Sequence, residues 1–318
     1  MDILQKEKKL KKLEEELYRL DDQTAIDEIK ETIKDYKIKA MSSLTSWDRV
    51  LLARHQLRPN AKAFIDHIFD DFIELHGDRG FADDKAIIGG IGVINNIPVT
   101  IIAQQKGTCT EENIACNFAM AHPEGYRKAL RLMKQAEKFN RPIITFIDTP
   151  GAYPGIGAEA RGQGEAIAKN LYEMSDLGVP IIAIVIGEGG SGGALAIGMG
   201  NEVLMLENSI YSILSPEGYA SILWKDASKA KEAAEVMKLT SYDLDELGII
   251  DGIIKEPLGG AHHDPKTTFE AVKETLVESL ARYHNMSHFE IKTARYAKYR
   301  NIGFFQRFNY EHLKGVVE

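Results

Sequence analysis

The fold of this chain is decided by residues 179–200, VPIIAIVIGEGGSGGALAIGMG, where an apolar run leads directly into glycines. Seven of the fourteen residues from Gly187 to Gly200 are glycine. An apolar run between Pro and Gly is typical of a strand buried on both faces, and residues 194–197 predict a short helix of small residues. The glycines therefore lie at a strand-to-helix turn, where unpaired backbone N–H groups can face negative charge.

The same pattern occurs once more, 38 residues upstream. Residues 142–148, PIITFID, form a similar apolar run, and the glycine-rich turn TPGAYPGIG follows at 149–157. Parallel strands joined by right-handed crossovers bring both turns to one edge of a sheet. Residues 85–94 and 97–104 predict a hairpin that turns at Asn95-Asn96, and residues 158–177 predict a helix. The sequence thus predicts an α/β fold with its functional site at that edge.

Composition excludes several classes of protein. The chain has 318 residues, of which 44% are hydrophobic, and its net charge is −8, which argues against general affinity for nucleic acid. It contains no apolar stretch of about 20 residues, so we expect no membrane span. Two cysteines, Cys109 and Cys116, cannot form a disulfide framework or a four-thiolate zinc site, and we see no signal peptide. We therefore expect a cytoplasmic protein.

The ends of the chain differ from its middle in composition and hydrophobic pattern. Leucines at 10, 13, 17 and 20 and isoleucines at 26, 29 and 33 repeat at helical spacing in a Lys/Glu-rich background. They predict a helical hairpin over residues 1–40. We assign residues 41–285 to the main domain and residues 286–318 to a C-terminal helical tail.

Two short motifs offer competing interpretations of the glycine-rich turn. Residues 187–192 satisfy the dinucleotide pattern G-x-G-x-x-G, with Glu207 about twenty residues on, but the helix that follows is too short for a typical βαβ unit. Residues 189–193 satisfy G-x-S-x-G, so Ser191 could be the nucleophile of a hydrolase. The spacing singles out no histidine as its base: His262 and His263 also fit a polar surface loop, and Ser191 also fits a helix cap.

Six longer blocks resemble one family, the alpha subunits of bacterial acetyl-CoA carboxylase carboxyltransferases. The resemblance spans roughly residues 40–285 in consistent order. The blocks are GDR at 77–79 with ADDKAI at 82–87, PEGYRKALR at 123–131, ITFIDTPGAYPG at 144–155, GEGGSGGALAIG at 187–198, SPEGYASILW at 215–224 and EPLGGAH at 256–262.

This resemblance implies a crotonase-like (ClpP/crotonase) fold of ββα units in a subunit that pairs with a related beta subunit as an α2β2 heterotetramer. It implies transfer of the carboxyl group from carboxybiotin, on a biotin carboxyl carrier protein, to acetyl-CoA. The product, malonyl-CoA, feeds fatty-acid synthesis, and a separate biotin carboxylase consumes the ATP. Biotin is not attached to this chain, and no metal is expected on it, because the zinc ribbon of the family belongs to the beta subunit. A non-catalytic scaffold subunit stays an alternative.

The resemblance also carries site residues. The backbone N–H groups of Gly192 and Gly193 would hold the biotin oxygen as an oxyanion hole. Tyr153 could pack on biotin or pantetheine, or be buried under its own turn. The loop at 108–117 lacks the basic residues usual in the family. If that loop meets the phosphates of CoA or the partner subunit, this chain should bind them more weakly or through other residues, such as Lys106, Arg127 and Lys128. The residues expected to bind substrate are Gly151, Ala152, Tyr153, Gly155, Gly189, Gly190 and Lys106.

Overall fold

The two apolar runs form neighbouring parallel strands at the centre of the sheet. A computed structural model describes residues 2–17 and 22–303. Strands β4 (Ile143–Thr149) and β5 (Ile181–Gly190) are buried along their whole length. Ile143 lies opposite Ile181, so residues 38 apart in the sequence are partners in the sheet. The predicted pair of buried strands, with both turns at one edge, is confirmed.

Eight strands form one sheet in the part of the chain that the structure describes. The other strands are β1 (Asp70–Glu74), β2 (Ile87–Ile94), β3 (Ile97–Gln104), β6 (Glu202–Leu206), β7 (Ile210–Ser212) and β8 (Gly252–Ile254). Their order is β1-β2-β3-β4-β5-β6-β8, and β7 pairs with the last residues of β5. The first three strands are antiparallel, and the others run parallel. Asn95 and Asn96 both have positive φ in the β2–β3 turn, which confirms the predicted hairpin.

Helices cover both faces of the sheet. They are α1 (Ile3–Leu17), α2 (Gln23–Met41), α3 (Ser46–Ala53), α4 (Ala61–Ile68), α5 (Thr110–Ala115), α6 (Pro123–Lys138), α7 (Ile156–Ala160), α8 (Gln163–Asp176), α9 (Ser191–Gly198), α10 (Pro216–Trp224), α11 (Ala230–Met237), α12 (Ser241–Glu246), α13 (Pro265–Tyr283) and α14 (His288–Asn301). One face packs against α6, α8 and α9, and the other packs against α4 and α13. None of these helices is both long and apolar enough to cross a membrane.

The prediction of one continuous helix over residues 158–177 is wrong, because the segment forms two helices, α7 and α8. Gly162 has φ 82°, a left-handed conformation that glycine adopts without steric cost, and the chain turns there. The turn lets Gln163, at the start of α8, donate to the carbonyls of Ala121 and Tyr153, both at 2.9 Å. The break therefore fixes the turn that contains Tyr153.

Both ends of the described chain contact the main body. Helices α1 and α2 pack together and bury Leu10 and Ile33, whereas Leu20, part of the expected hairpin, lies outside the described residues. On α14, the guanidinium of Arg295 is 1% exposed and donates to three carbonyls at the end of α8 and the start of β5. Residues 304–318 of the expected tail also lie outside the described residues.

A buried ion pair joins the segment after α3 to the segment after β8. The side chains of Arg58 and Glu256 are 3% and 0% exposed, with Nη2 and Oε1 2.6 Å apart. Arg58 also donates to the carbonyl of Ile186 in β5 at 2.7 Å. Burial alone raises the pKa of Glu256, but the charge of Arg58 and several hydrogen bonds outweigh burial and hold the pKa below its ordinary 4.5.

We expect Glu256→Gln to lower the free energy of unfolding by about 3–5 kcal/mol near neutral pH, because it leaves Arg58 buried without a counter-charge. A carboxyl group with a lowered pKa in the folded state stabilises the fold above its unfolded pKa and loses this effect as pH falls. The deficit should therefore shrink below about pH 4.5. Urea unfolding across pH measures it, with Glu270→Gln on exposed α13 surface as the control. Equal stability of wild type and variant at neutral pH would contradict the prediction.

Candidate functional site

The two glycine-rich turns pack backbone against backbone. A Cβ atom on Gly190 would lie 2.2 Å from the carbonyl oxygen of Pro150, and one on Gly193 would lie 2.6 Å from the carbonyl carbon of Gly151. Real Cβ atoms do not approach other atoms so closely, so both positions need glycine. The glycines at 190 and 193 thus let the turn after β4 rest directly on the start of α9.

The first turn of α9 presents unpaired N–H groups. Gly190 precedes the helix and Ser191 is its first residue, so the expectation of Ser191 as a helix cap is wrong, and no side chain caps this end. Within the described residues, no acceptor binds the N–H groups of Gly192 and Gly193. The buried amide of Gln104 donates to the carbonyl of Gly193 at 2.7 Å and holds the turn in place. This end of α9 can therefore bind an anionic oxygen.

An apolar cleft of about 610 Å³ opens beside this helix end. Leu195, Ile213 and Leu247 in its lining are 44%, 75% and 57% exposed, which is unusual for large apolar side chains that lie together. The cleft is lined by Ser191, Leu195, Tyr211, Ser212, Ile213, Leu214, Tyr219, Met237, Lys238, Leu244, Leu247 and Ile249. The anion site thus borders an apolar surface that is open to a ligand or to another chain.

A second, polar cavity of about 430 Å³ lies at the carboxyl ends of β4 and β5. The ammonium of Lys106 lies 2.6 Å from Asp148 and 3.6 Å from Glu188, and Glu188 also pairs with Arg54 at 2.6 Å. Burial alone would lower the pKa of Lys106, but the charges of Asp148 and Glu188 outweigh it and raise that pKa. Lys106 is therefore cationic, and carboxylates of this chain already balance its charge.

The cations expected to replace the missing basic loop are all engaged within the chain. Lys106 is paired as described above. Arg127 binds Asp78 at 2.8 Å, and Lys128 is 1% exposed and binds Asp83 at 2.6 Å. Arg127 and Lys128 could therefore meet CoA phosphates only in competition with these carboxylates. Lys106 could meet a phosphate only in competition with its own partners.

The turn after β4 is fixed by short polar contacts. Thr149 Oγ1 accepts from the N–H of Gly151 at 3.1 Å and donates to the carbonyl of Ala119 at 2.6 Å. The ring of Tyr153 stacks on His122 at 4.2 Å and covers Gly155, where a Cβ would lie 2.3 Å from the ring. The half-buried Tyr153 thus packs on its own turn while one part stays open, which is compatible with both expectations for it.

Ser191 has φ 50°, the strained backbone expected at a nucleophile turn, but the rest of a hydrolase site is not present in the described residues. No described histidine hydrogen-bonds to Ser191, and His262 with His263 lies in a cluster with Glu7. Both histidines lie in the loop between β8 and α13 as expected, but the side chain of His262 is only 4% exposed, whereas that of His263 is 22% exposed. Glu207, the acidic residue of the dinucleotide pattern, accepts from the hydroxyl of Tyr242 and the N–H of Glu256.

The sequence analysis missed the charged residues of the polar cavity. Asp148 and Glu188 lie near the carboxyl ends of the buried strands β4 and β5. Asp148 accepts from Lys106 and from the N–H of Glu188 at 2.9 Å. The signal that could have indicated them is an acidic residue near the end of each apolar run; the two are 40 residues apart rather than 38, because the register of β4 and β5 shifts between Ile147 and Thr149.

The fold and the anion-binding helix end define a protein of the crotonase-like class. A crystal structure of transcarboxylase 12S with methylmalonyl-coenzyme A and methylmalonic acid bound matches 71% of this chain at a TM-score of 0.58 and 20% identity. This chain covers 41% of the transcarboxylase chain. A Pseudomonas malonate decarboxylase hetero-tetramer in complex with coenzyme A matches 74% of this chain and 91% of its own at a TM-score of 0.56 and 16% identity. These likenesses confirm the expected crotonase-like α/β fold.

The sequence defines the family. Residues 1–303 match the family described as "Acetyl co-enzyme A carboxylase carboxyltransferase-like", and the chain belongs to it. The acetyl-coenzyme A carboxylase carboxyl transferase subunit alpha of Staphylococcus aureus strain RF122 is 59% identical over 286 residues, which are 90% of this chain and 91% of that protein. The relative from strain MRSA252 gives the same values. The family resemblance expected from the sequence blocks is confirmed.

We expect Gly193→Ala to lower the free energy of unfolding by about 1–3 kcal/mol, because its Cβ would overlap the backbone of Gly151 and Ala152. Gly192→Ala should change it little, since the nearest atoms to that Cβ, on Ile167, lie at 3.6 Å or more. Replacement of Gly193 therefore disturbs packing as well as the expected oxyanion hole. Urea unfolding of the two variants tests this contrast, and equal stabilities would contradict it.

Proposed function

We propose that this chain is the alpha half of a carboxyltransferase that moves the carboxyl group from carboxybiotin, on a biotin carboxyl carrier protein, to acetyl-CoA. Malonyl-CoA, the precursor for fatty-acid synthesis, is the product. Membership of the carboxyltransferase-like family and the high identity to alpha subunits support this proposal. A separate biotin carboxylase consumes ATP to load the carrier.

The observation that carries the mechanism is the pair of free N–H groups at Gly192 and Gly193. When the carboxyl group leaves carboxybiotin, the N–C bond breaks and negative charge develops on the ureido oxygen. Two fixed backbone donors stabilise such an oxygen without reorganising in the transition state. The adjoining apolar cleft, with Tyr211 and Leu214 in its lining, suits the apolar body of biotin, and would exclude water from this charge once a second chain covers it.

The proton transfer needs no side-chain base. The ureido group left by decarboxylation takes a proton from the methyl group of acetyl-CoA, and the C–H electron pair becomes an enolate. The enolate carbon then attacks CO2, which closes the new C–C bond and restores the thioester. The lack of any histidine bonded to Ser191 in the described residues agrees with this route.

A second chain is needed for the thioester oxygen, which also becomes anionic. We propose that a beta subunit supplies an equivalent donor pair and covers the apolar cleft, in an α2β2 assembly. The exposed Ile213, Ile222 and Leu223, at 75%, 63% and 57%, support an interface on this side. Their burial would also close the cleft around the reacting groups.

Removal of one donor should reduce kcat of malonyl-CoA formation by about 10²–10³. Gly192→Pro removes this N–H in the first turn of α9, where no intrahelical hydrogen bond is lost. Gly192→Ala keeps the N–H and controls for added volume. Steady-state kinetics with the beta subunit, together with unfolding midpoints for both variants, tests the prediction. A scaffold subunit would give unchanged turnover for a folded Gly192→Pro variant.

We expect this chain to catalyse biotin-dependent decarboxylation of malonyl-CoA only when it is mixed with the beta subunit. Each subunit would hold one of the two developing oxyanions, so neither is sufficient alone. Assays of each subunit and of the mixture measure this. Ser191→Ala serves as the control for the hydrolase interpretation: ester or thioester hydrolysis by the chain alone that this variant abolishes would overturn the carboxyltransferase proposal.

A further inference from the structure

Four side chains from three distant parts of the sequence converge outside the proposed active site. Glu7 lies on α1, His55 follows α3, and His262 and His263 lie between β8 and α13. One carboxylate of Glu7 contacts all three rings: its oxygens lie 2.9 Å from Nε2 of His262, 3.4 Å from Nε2 of His55 and 3.8 Å from Nε2 of His263. Three potential nitrogen ligands thus surround one oxygen ligand.

The spacing of these atoms fits a tetrahedral metal ion. The ligand atoms of Glu7, His55 and His262 all lie within 4.8 Å of one another. Zinc binds His nitrogen and carboxylate oxygen at roughly 2.0–2.2 Å, so neighbouring ligand atoms of a tetrahedral site are about 3.3 Å apart. The 2.9, 3.4 and 3.8 Å distances from Glu7 bracket that value.

The histidine rings are held in place by stacking. The ring centroids of His55 and His262 are 3.9 Å apart at an interplanar angle of 26°, and those of His262 and His263 are 4.5 Å apart. Three imidazolium charges this close would repel, whereas neutral rings can stack and each keep a lone pair for a metal. The side chain of His262 is 4% exposed, so this arrangement is built into the fold.

We propose that Glu7, His55, His262 and His263 form a zinc site. Three imidazole nitrogens with one carboxylate suit zinc rather than the oxygen-seeking Mg²⁺ or Ca²⁺. The ligand atoms of Glu7, His55 and His262 already lie together, and His263, whose Nε2 lies 3.8 Å from Glu7, would move onto the ion as the fourth ligand and close the site, as is typical of structural zinc. The inference goes beyond the proposed carboxyl transfer, does not depend on it, and replaces the expectation that this chain holds no metal.

Bound zinc would clamp the N-terminal helix to the main domain. Glu7 is the ligand from α1, and the other three belong to the body that carries the sheet. A solvent-open cavity of about 760 Å³ borders Glu7, His55, His262 and His263, and gives the ion a path of entry. The expected effect of zinc is therefore greater stability and closer attachment of α1, with no direct part in turnover.

The test uses the full chain, with any affinity tag removed, after treatment with a chelator. We expect isothermal titration with ZnCl2 to give one site per chain, an upward shift of the unfolding midpoint, and tetrahedral d–d absorption when CoCl2 replaces zinc. None of these measurements requires a beta subunit or turnover, so failure of the zinc site and failure of the proposed function are distinguishable.

Variants locate the site. His55→Ala and Glu7→Gln should each weaken zinc binding more than the roughly 10–100-fold that loss of an outer-shell partner costs. His284→Ala, an exposed histidine outside the cluster, should bind zinc like the wild type. Glu7 and His55 are partly exposed, so these variants stay informative where the buried His262→Ala fails to fold. The proposal would be overturned if the wild-type chain bound no stoichiometric zinc, or if His55→Ala and Glu7→Gln bound zinc as tightly as the wild type. The four side chains would then form only a hydrogen-bonded cluster.

Discussion

The close approach of two backbones is the constraint on which the site depends. The turn after β4 lies directly on the start of α9, at a separation that leaves no room for a Cβ at Gly190 or Gly193. The parallel register of β4 and β5 brings the two glycine-rich turns to one edge of the sheet. The side-chain amide of Gln163 holds the turn after β4 in place by donating to the carbonyls of Ala121 and Tyr153. Because the turns support each other, the N–H groups at the start of α9 keep their direction without a capping side chain.

Charge near this edge is balanced inside the chain. Asp148 and Glu188 are matched by Lys106 and Arg54, and deeper in the fold Glu256 is matched by Arg58. These pairs hold the segments after α3, β3, β5 and β8 together, and they leave little free positive charge in the polar cavity. A developing oxyanion would therefore be bound by the backbone N–H dipoles at the start of α9. These dipoles carry no formal charge and need not reorganise during the reaction.

The residues at the end of α3 contact both the polar cavity and the histidine cluster around Glu7. Arg54 pairs with Glu188 beside the glycine-rich turn, while the next residue, His55, contacts Glu7 of the N-terminal helix. Attachment of α1 and the position of Arg54 are thus carried by neighbouring residues of one segment. The apolar cleft with exposed Ile213 and Leu247 borders Ser191, at the start of α9, whereas the polar cavity is lined by Glu188, near the end of β5.

The sequence by itself determined the local structure: the apolar runs at 142–148 and 179–186, the turn at Asn95-Asn96 and the small-residue helix follow from periodicity and from glycine, which act over a few residues. It also determined the family, because long blocks are specific. Only the tertiary structure decided that Gly193 is needed for packing against Gly151, that Lys128 is already paired with Asp83, and that the side chain of His262 lies against Glu7. Such contacts join residues up to 255 positions apart, and spacing along the chain carries no record of them.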